Sequence, residues 1–175
     1  MDPETPVRSL TPDLMVEDLE ATVEWYRRVF DADVVATLPA DGDEPPWWAQ
    51  VMIDGAPLMF QRRDSLEGKL PNMEGVSIGG SVAFYLDVDD AAGFHDDLVS
   101  NGVEVTRELH ETEFGWRQFA AADPNGYTLW FGEKLSEEDA REIGQRYRTY
   151  HDDLTDDGSG RPAQRQFDEP SKRWG

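Results

Sequence analysis

An internal duplication constrains the fold of this chain more than any single motif in it. From Val7 to Val16 apolar residues alternate loosely with polar ones. Glu17-Asp18-Leu19-Glu20 then opens a helical pattern with Leu19, Val23, Tyr26 and Phe30 at spacings of three and four. Roughly seventy residues later the same order returns. Ser81 to Val88 alternates Val82, Phe84, Leu86 and Val88 against Ala83, Tyr85 and Asp87, and Asp89-Asp90 opens a helix carrying Phe94, Leu98 and Val99 up to Asn101-Gly102. Three strand-like stretches follow each helix: Asp33–Leu38, Trp47–Ile53 and Pro57–Arg62, then Val103–Leu109, Gly115–Ala122 and Tyr127–Gly132. Asp54-Gly55 and Asp123-Pro124-Asn125-Gly126 are strong turns before the last strand of each half. The fold class is α+β, two tandem β-α-β-β-β modules at about 7–63 and 80–133, joined by a polar, Gly- and Pro-containing linker over 64–79. Together they make one domain over 1–135. Ser136-Glu137-Glu138-Asp139 caps a further helix, and 136–175 reads as that helix followed by a polar, flexible tail.

Charge and composition narrow the chemistry. Asp and Glu number 37 against 16 Lys and Arg, a formal net charge of -21 over 175 residues, so a phosphate-neutralising footprint is missing and nucleic acid is not an expected partner. With no cysteine there is no disulfide, thiol nucleophile, zinc ribbon or iron–sulfur site. The start MDPETPVRS lacks a secretory signal and no stretch approaches a membrane span, so a soluble cytoplasmic protein without membrane contact is expected. Lysine occurs only at Lys69, Lys134 and Lys172, while carboxylates are spread through every segment. Such an even acidic coat is the surface of a halophilic protein, where salt screens the self-repulsion.

The strings TPDLMVEDLEATVEWYRRVFDADVV, GGSVAFYLDVDDAAGFHDDLVSNGVEV and FGWRQFAAADPNGYTLWFGE together resemble the vicinal oxygen chelate superfamily of glyoxalases, bleomycin-resistance proteins and ring-cleaving dioxygenases. The resemblance runs from about Val7 to Glu133. It implies two modules whose sheets curl into an open, cupped barrel around a ligand cavity, and it implies a homodimer. Metal-using members take their ligands from four inward-facing strand positions, and here these fall on Thr11, Met59, Ala83 and Trp130. Hydroxyl, thioether, methyl and indole do not suit a cation that wants imidazole and carboxylate, so no metal or other cofactor is expected. The chain is therefore most similar to the metal-free bleomycin-resistance branch, which implies sequestration of a small molecule.

Strand parity indicates what lines such a cavity. The face of Thr11 also holds Asp13; Met59 goes with Gln61, Ala83 with Tyr85 and Asp87, and Trp130 with Thr128. Trp48, next to Trp47, and Trp116 are rim candidates. The expected ligand-binding set is Thr11, Asp13, Trp48, Met59, Gln61, Tyr85, Asp87, Trp116 and Trp130, a groove suited to an aromatic or cationic organic ligand. His110-Glu111 reads as a solvated loop, and Trp25-Tyr26 as core packing. Two alternatives stay open. One is a lyase, isomerase or dioxygenase of the same superfamily, either metal-dependent or using Asp13, Asp87 or His110 as a base. The other is a protein-interaction module built on Trp47, Trp48 and the C-terminal extension.

Overall fold

The computed structural model describes residues 9–40 and 44–155, with side chains up to Tyr147 apart from Pro71. Helix α1 (Leu19–Phe30) starts where the Asp18 carboxylate accepts the Ala21 amide at 2.9 Å, and it ends at Asp31 in the left-handed region. Its apolar stripe buries Leu19 and Tyr26 against the first sheet, formed by β1 (Asp13–Val16), β2 (Asp33–Leu38), β3 (Trp48–Ile53) and β4 (Ala56–Arg62) in the order β1-β4-β3-β2. The second module repeats the design. Asp90 caps α3 (Ala91–Ser100), and β5 (Ala83–Asp87), β6 (Val105–Glu111), β7 (Trp116–Ala122) and β8 (Thr128–Lys134) form a sheet in the order β5-β8-β7-β6. In each sheet the first strand lies parallel to the last and the other pairings are antiparallel.

The alternation of strand side chains sends Leu14, Val16, Ala49, Val51, Leu58 and Phe60 toward the helices in module one, and Phe119, Ala121, Leu129 and Phe131 in module two. Trp25 and Phe30 of α1 pack against both clusters, so the two cores meet along this helix. Polar clasps reinforce the junction. Asp123, buried in the turn before β8, accepts the amides of Asn125 at 2.8 Å and Tyr127 at 2.9 Å and the hydroxyl of Tyr26 at 3.2 Å. Asn125 reaches across to Thr22 and Glu17, and the Tyr127 hydroxyl donates to the Met15 carbonyl. The Asp-Pro-Asn-Gly turn is thus the latch between modules as well as a hairpin end.

Two expectations need correction. The span 64–79 is not a plain linker, because α2 (Arg63–Lys69) leaves β4 directly and a single 3-10 turn follows at Pro71–Met73. Leu66 supplies its buried anchor, and the Arg63 guanidinium holds it to Glu17 and Glu67. His110 and Glu111 lie within β6 and not in a loop. Beyond β8, α4 (Glu137–Thr155) is docked by Leu135 and Ile143, both buried, and by the Tyr147 hydroxyl on the Glu111 carbonyl. The expected tail from 156 onward lies outside the described residues. No helix among the described residues is long and apolar enough to cross a membrane.

Candidate functional site

The open side of each sheet, opposite the helices, carries the expected site residues. On the first sheet the register sets Asp13 beside Met59, with Gln50 across from it, and sets Gln61 between Met15 and Trp48. Helix α2 packs on β1 and β4 and closes much of this side. Met15 and Gln61 are buried, and the Gln61 amide donates to Ser65 at 2.9 Å. At the end of α2 the Lys69 ammonium sits 3.7 Å from the centre of the Trp47 ring. Partial desolvation raises the Asp13 carboxyl above the usual carboxylate range, and the Lys69 charge opposes that shift.

The second sheet is uncovered by comparison. Tyr85, 64% exposed, stacks on Trp130 with ring centres 5.9 Å apart and planes at 9°. Gly132 is next along β8, and its missing side chain matters. A Cβ there would lie 3.2 Å from the Trp116 ring and 3.8 Å from the Tyr85 ring, so glycine lets both rings rest on the strand. The Tyr85 hydroxyl donates to Gln118 Oε1 at 2.8 Å, and Gln118 Nε2 lies 3.2 Å from His110 Nε2. His110 Nδ1 is 2.9 Å from the Glu108 carbonyl. A carbonyl can only accept, so the imidazole proton belongs on Nδ1, and Nε2 accepts from Gln118 in the neutral ring. His110 meets the Trp130 ring edge-on at 6.3 Å, and the Arg107 guanidinium lies over the same ring at 5.9 Å. Asp87 and Trp116 line a cavity of about 310 Å3 at the end of this sheet, together with Lys134.

The structure thus gathers the expected residues into two sets on separate sheets: Asp13, Trp48, Met59 and Gln61 on the first, Tyr85, Asp87, Trp116 and Trp130 on the second. Thr11 belongs to neither strand set, since it lies in the irregular stretch before β1. Gly132, Gln118, His110 and Arg107 complete the second set and were not among the expected ligand-binding residues. Trp47 and Trp130 are each approached by one of the chain's own cations, Lys69 and Arg107.

The model of the Glyoxalase/Bleomycin resistance protein/Dioxygenase superfamily matches residues 9–131. The chain belongs to this superfamily. It is 28% identical over 142 residues to the uncharacterized protein Mb0911c of Mycobacterium bovis, covering 77% of this chain and 89% of that protein. The uncharacterized protein Rv0887c of Mycobacterium tuberculosis is likewise 28% identical over 142 residues, with 77% and 79% covered. Among solved structures, a glyoxalase/bleomycin resistance protein/dioxygenase from Nocardioides superposes with a TM-score of 0.62 at 15% identity, covering 76% of this chain and 87% of that one. TioX from Micromonospora sp. ML1 gives 0.57 at 21% identity, with 74% and 100% covered. The fosfomycin resistance protein FosX from Listeria monocytogenes gives 0.56 at 14% identity, with 78% and 99% covered. These likenesses show the fold. Thr11, Met59, Ala83 and Trp130, which the resemblance sets at the metal-ligand positions, offer a hydroxyl, a thioether, a methyl and an indole, a donor set that does not suit a divalent cation. Among the described residues, no three His, Asp or Glu side chains are grouped to hold one.

Proposed function

We propose that the chain binds a planar aromatic small molecule on the open side of its second sheet, without a metal, and sequesters it unchanged. The observation that carries this is the Tyr85–Trp130 stack, seated beside Gly132 and open to solvent on the strand face that the family resemblance assigns to the ligand cavity. A flat ring laid on this platform gains stacking and apolar burial, while the Gln118 and Tyr85 polar groups border it. The exposed Val82 and Phe114 leave further apolar surface on this module, in keeping with action as a homodimer. The test is calorimetric titration with 2-naphthamide, a neutral planar probe, with and without EDTA. Saturable binding that ignores EDTA, recovery of intact probe by mass spectrometry, and a loss of about tenfold or more in affinity for Trp130→Ala are the expected results. Turnover that depends on a divalent ion, or full affinity in Trp130→Ala, would overturn the proposal.

A further inference from the structure

In a chain of net charge -21, the second sheet's open side holds one cation without an acid beside it, Arg107. Lys134, by contrast, shares the cavity at the end of this sheet with Asp87, Asp89 and Glu133. Elsewhere arginines find acids readily. Arg27, Arg62, Arg63, Arg117 and Arg146 each lie 2.6–3.4 Å from an Asp or Glu oxygen. The Arg107 side chain makes no ion pair and no hydrogen bond among the described residues, and the contact found for it is the face of Trp130.

That placement has a structural cause. The register of β6 against β7 slips between Val105 and Arg107 and again between Arg107 and His110. Strict alternation would send residues three apart to opposite sides. The second slip instead brings Arg107 and His110 to the same indole. A guanidinium left unpaired on an aromatic surface, with its donors uncommitted, is arranged to meet a planar anion whose ring stacks while its oxygens take the paired N–H groups.

We infer that the ligand of this site is an aromatic carboxylate, its ring on the Tyr85–Trp130 platform and its carboxylate on Arg107. This rests on the binding function proposed above and names its ligand class.

Three probes with one ring system test it: 2-naphthoate, 2-naphthamide and 2-naphthylmethylammonium, titrated calorimetrically into the full chain at fixed ionic strength. The acid is expected to bind about tenfold or more tighter than the amide, with the cation weakest. Raising salt weakens the acid and leaves the amide alone. Arg107→Gln is expected to abolish the acid's advantage over the amide, read as the ratio of the two affinities within that variant, and Arg107→Lys keeps part of the preference. Equal affinity for acid and amide, or tightest binding of the ammonium, overturns the anion assignment while leaving aromatic binding intact. Failure of all three probes to bind overturns both. A circular-dichroism melt of Arg107→Gln matching the parent protein shows that a lost preference is not lost folding.

Discussion

Replacing Tyr26 by Phe isolates the latch between the modules. Tyr26 is 1% exposed, and the substitution keeps its ring, which packs on Phe60 at 4.7 Å, while removing the hydroxyl that donates to Asp123. Asp123 keeps its two backbone donors, and the lost bond is the longest of the three at 3.2 Å. A hydrogen bond to a charged group contributes about 1.5–3 kcal/mol, so the lower part of that range, about 1.5–2 kcal/mol, is the expected cost near neutral pH. At about 2–4 °C per kcal/mol for a chain of this size, the melting temperature falls by about 3–8 °C. The pH dependence sharpens the test. Burial pushes the Asp123 carboxyl up, and its hydrogen bonds, that from Tyr26 included, pull it back. Without Tyr26 it rises further. A carboxyl raised in the folded state loses stability as pH rises through that folded value, so the deficit of the variant grows toward neutral pH. Toward acid pH, once Asp123 is protonated in both proteins, the deficit shrinks to that of a neutral bond, about 0.5–1.5 kcal/mol. Urea melts of both proteins in steps from about pH 4 to 8 measure the difference, in which the remaining charges cancel. A deficit that stays flat across that range, or never exceeds about 0.5 kcal/mol, would refute a hydrogen bond between Tyr26 and an ionised Asp123.

Three further outcomes are expected. Gly79 has φ of 77° and its α-carbon faces the Gly126 backbone so closely that a Cβ would come to 2.5 Å, so Gly79→Ala destabilises by about 1–3 kcal/mol in the same melts, whereas Gly68→Ala, with open space around it, does not. Gln118→Leu removes both the acceptor of the Tyr85 hydroxyl and the donor facing His110 Nε2. At fixed pH the ring signals of Tyr85 and His110 are expected to move together in NMR spectra of this variant, and an unmoved Tyr85 signal counts against its hydrogen bond to Gln118. The acidic surface predicts that the melting temperature climbs from low to molar potassium chloride, and a flat response removes the halophilic interpretation.

The duplicated architecture was legible because its signals are local. Asp33–Leu38 forms β2 with the bounds its sequence implies, and both Asp-capped helices stand where the acids precede an apolar stripe. Helix α2 was not legible, since Arg63–Lys69 is two turns with one buried apolar residue, too short for a period to declare itself. Parity found Tyr85 and Trp130 because β5 and β8 pair without slips. It missed Arg107 and His110 because bulges in β6 reset the alternation, and nothing in a single strand's sequence marks them. Gly132 carries no periodic signal at all, and its value appears only once Trp116 and Tyr85 are seen to lean over it. Asp123 looked like a turn former, and its partner Tyr26 is 97 residues away.

Helix α1 belongs to both cores, and that ties their fates in folding. A fragment ending after β4 would leave the Trp25 and Phe30 rings with half their partners, and a fragment beginning at β5 would leave Phe94 and Phe131 facing water where Phe30 had been. Neither half of the duplication is therefore a self-sufficient folding unit, and the two should melt in one cooperative step. The amides of α1 would then exchange with solvent only through complete opening of the chain, while α2, held by one buried leucine, the Gln61–Ser65 bond, the Lys69–Trp47 contact and surface ion pairs, opens far more often.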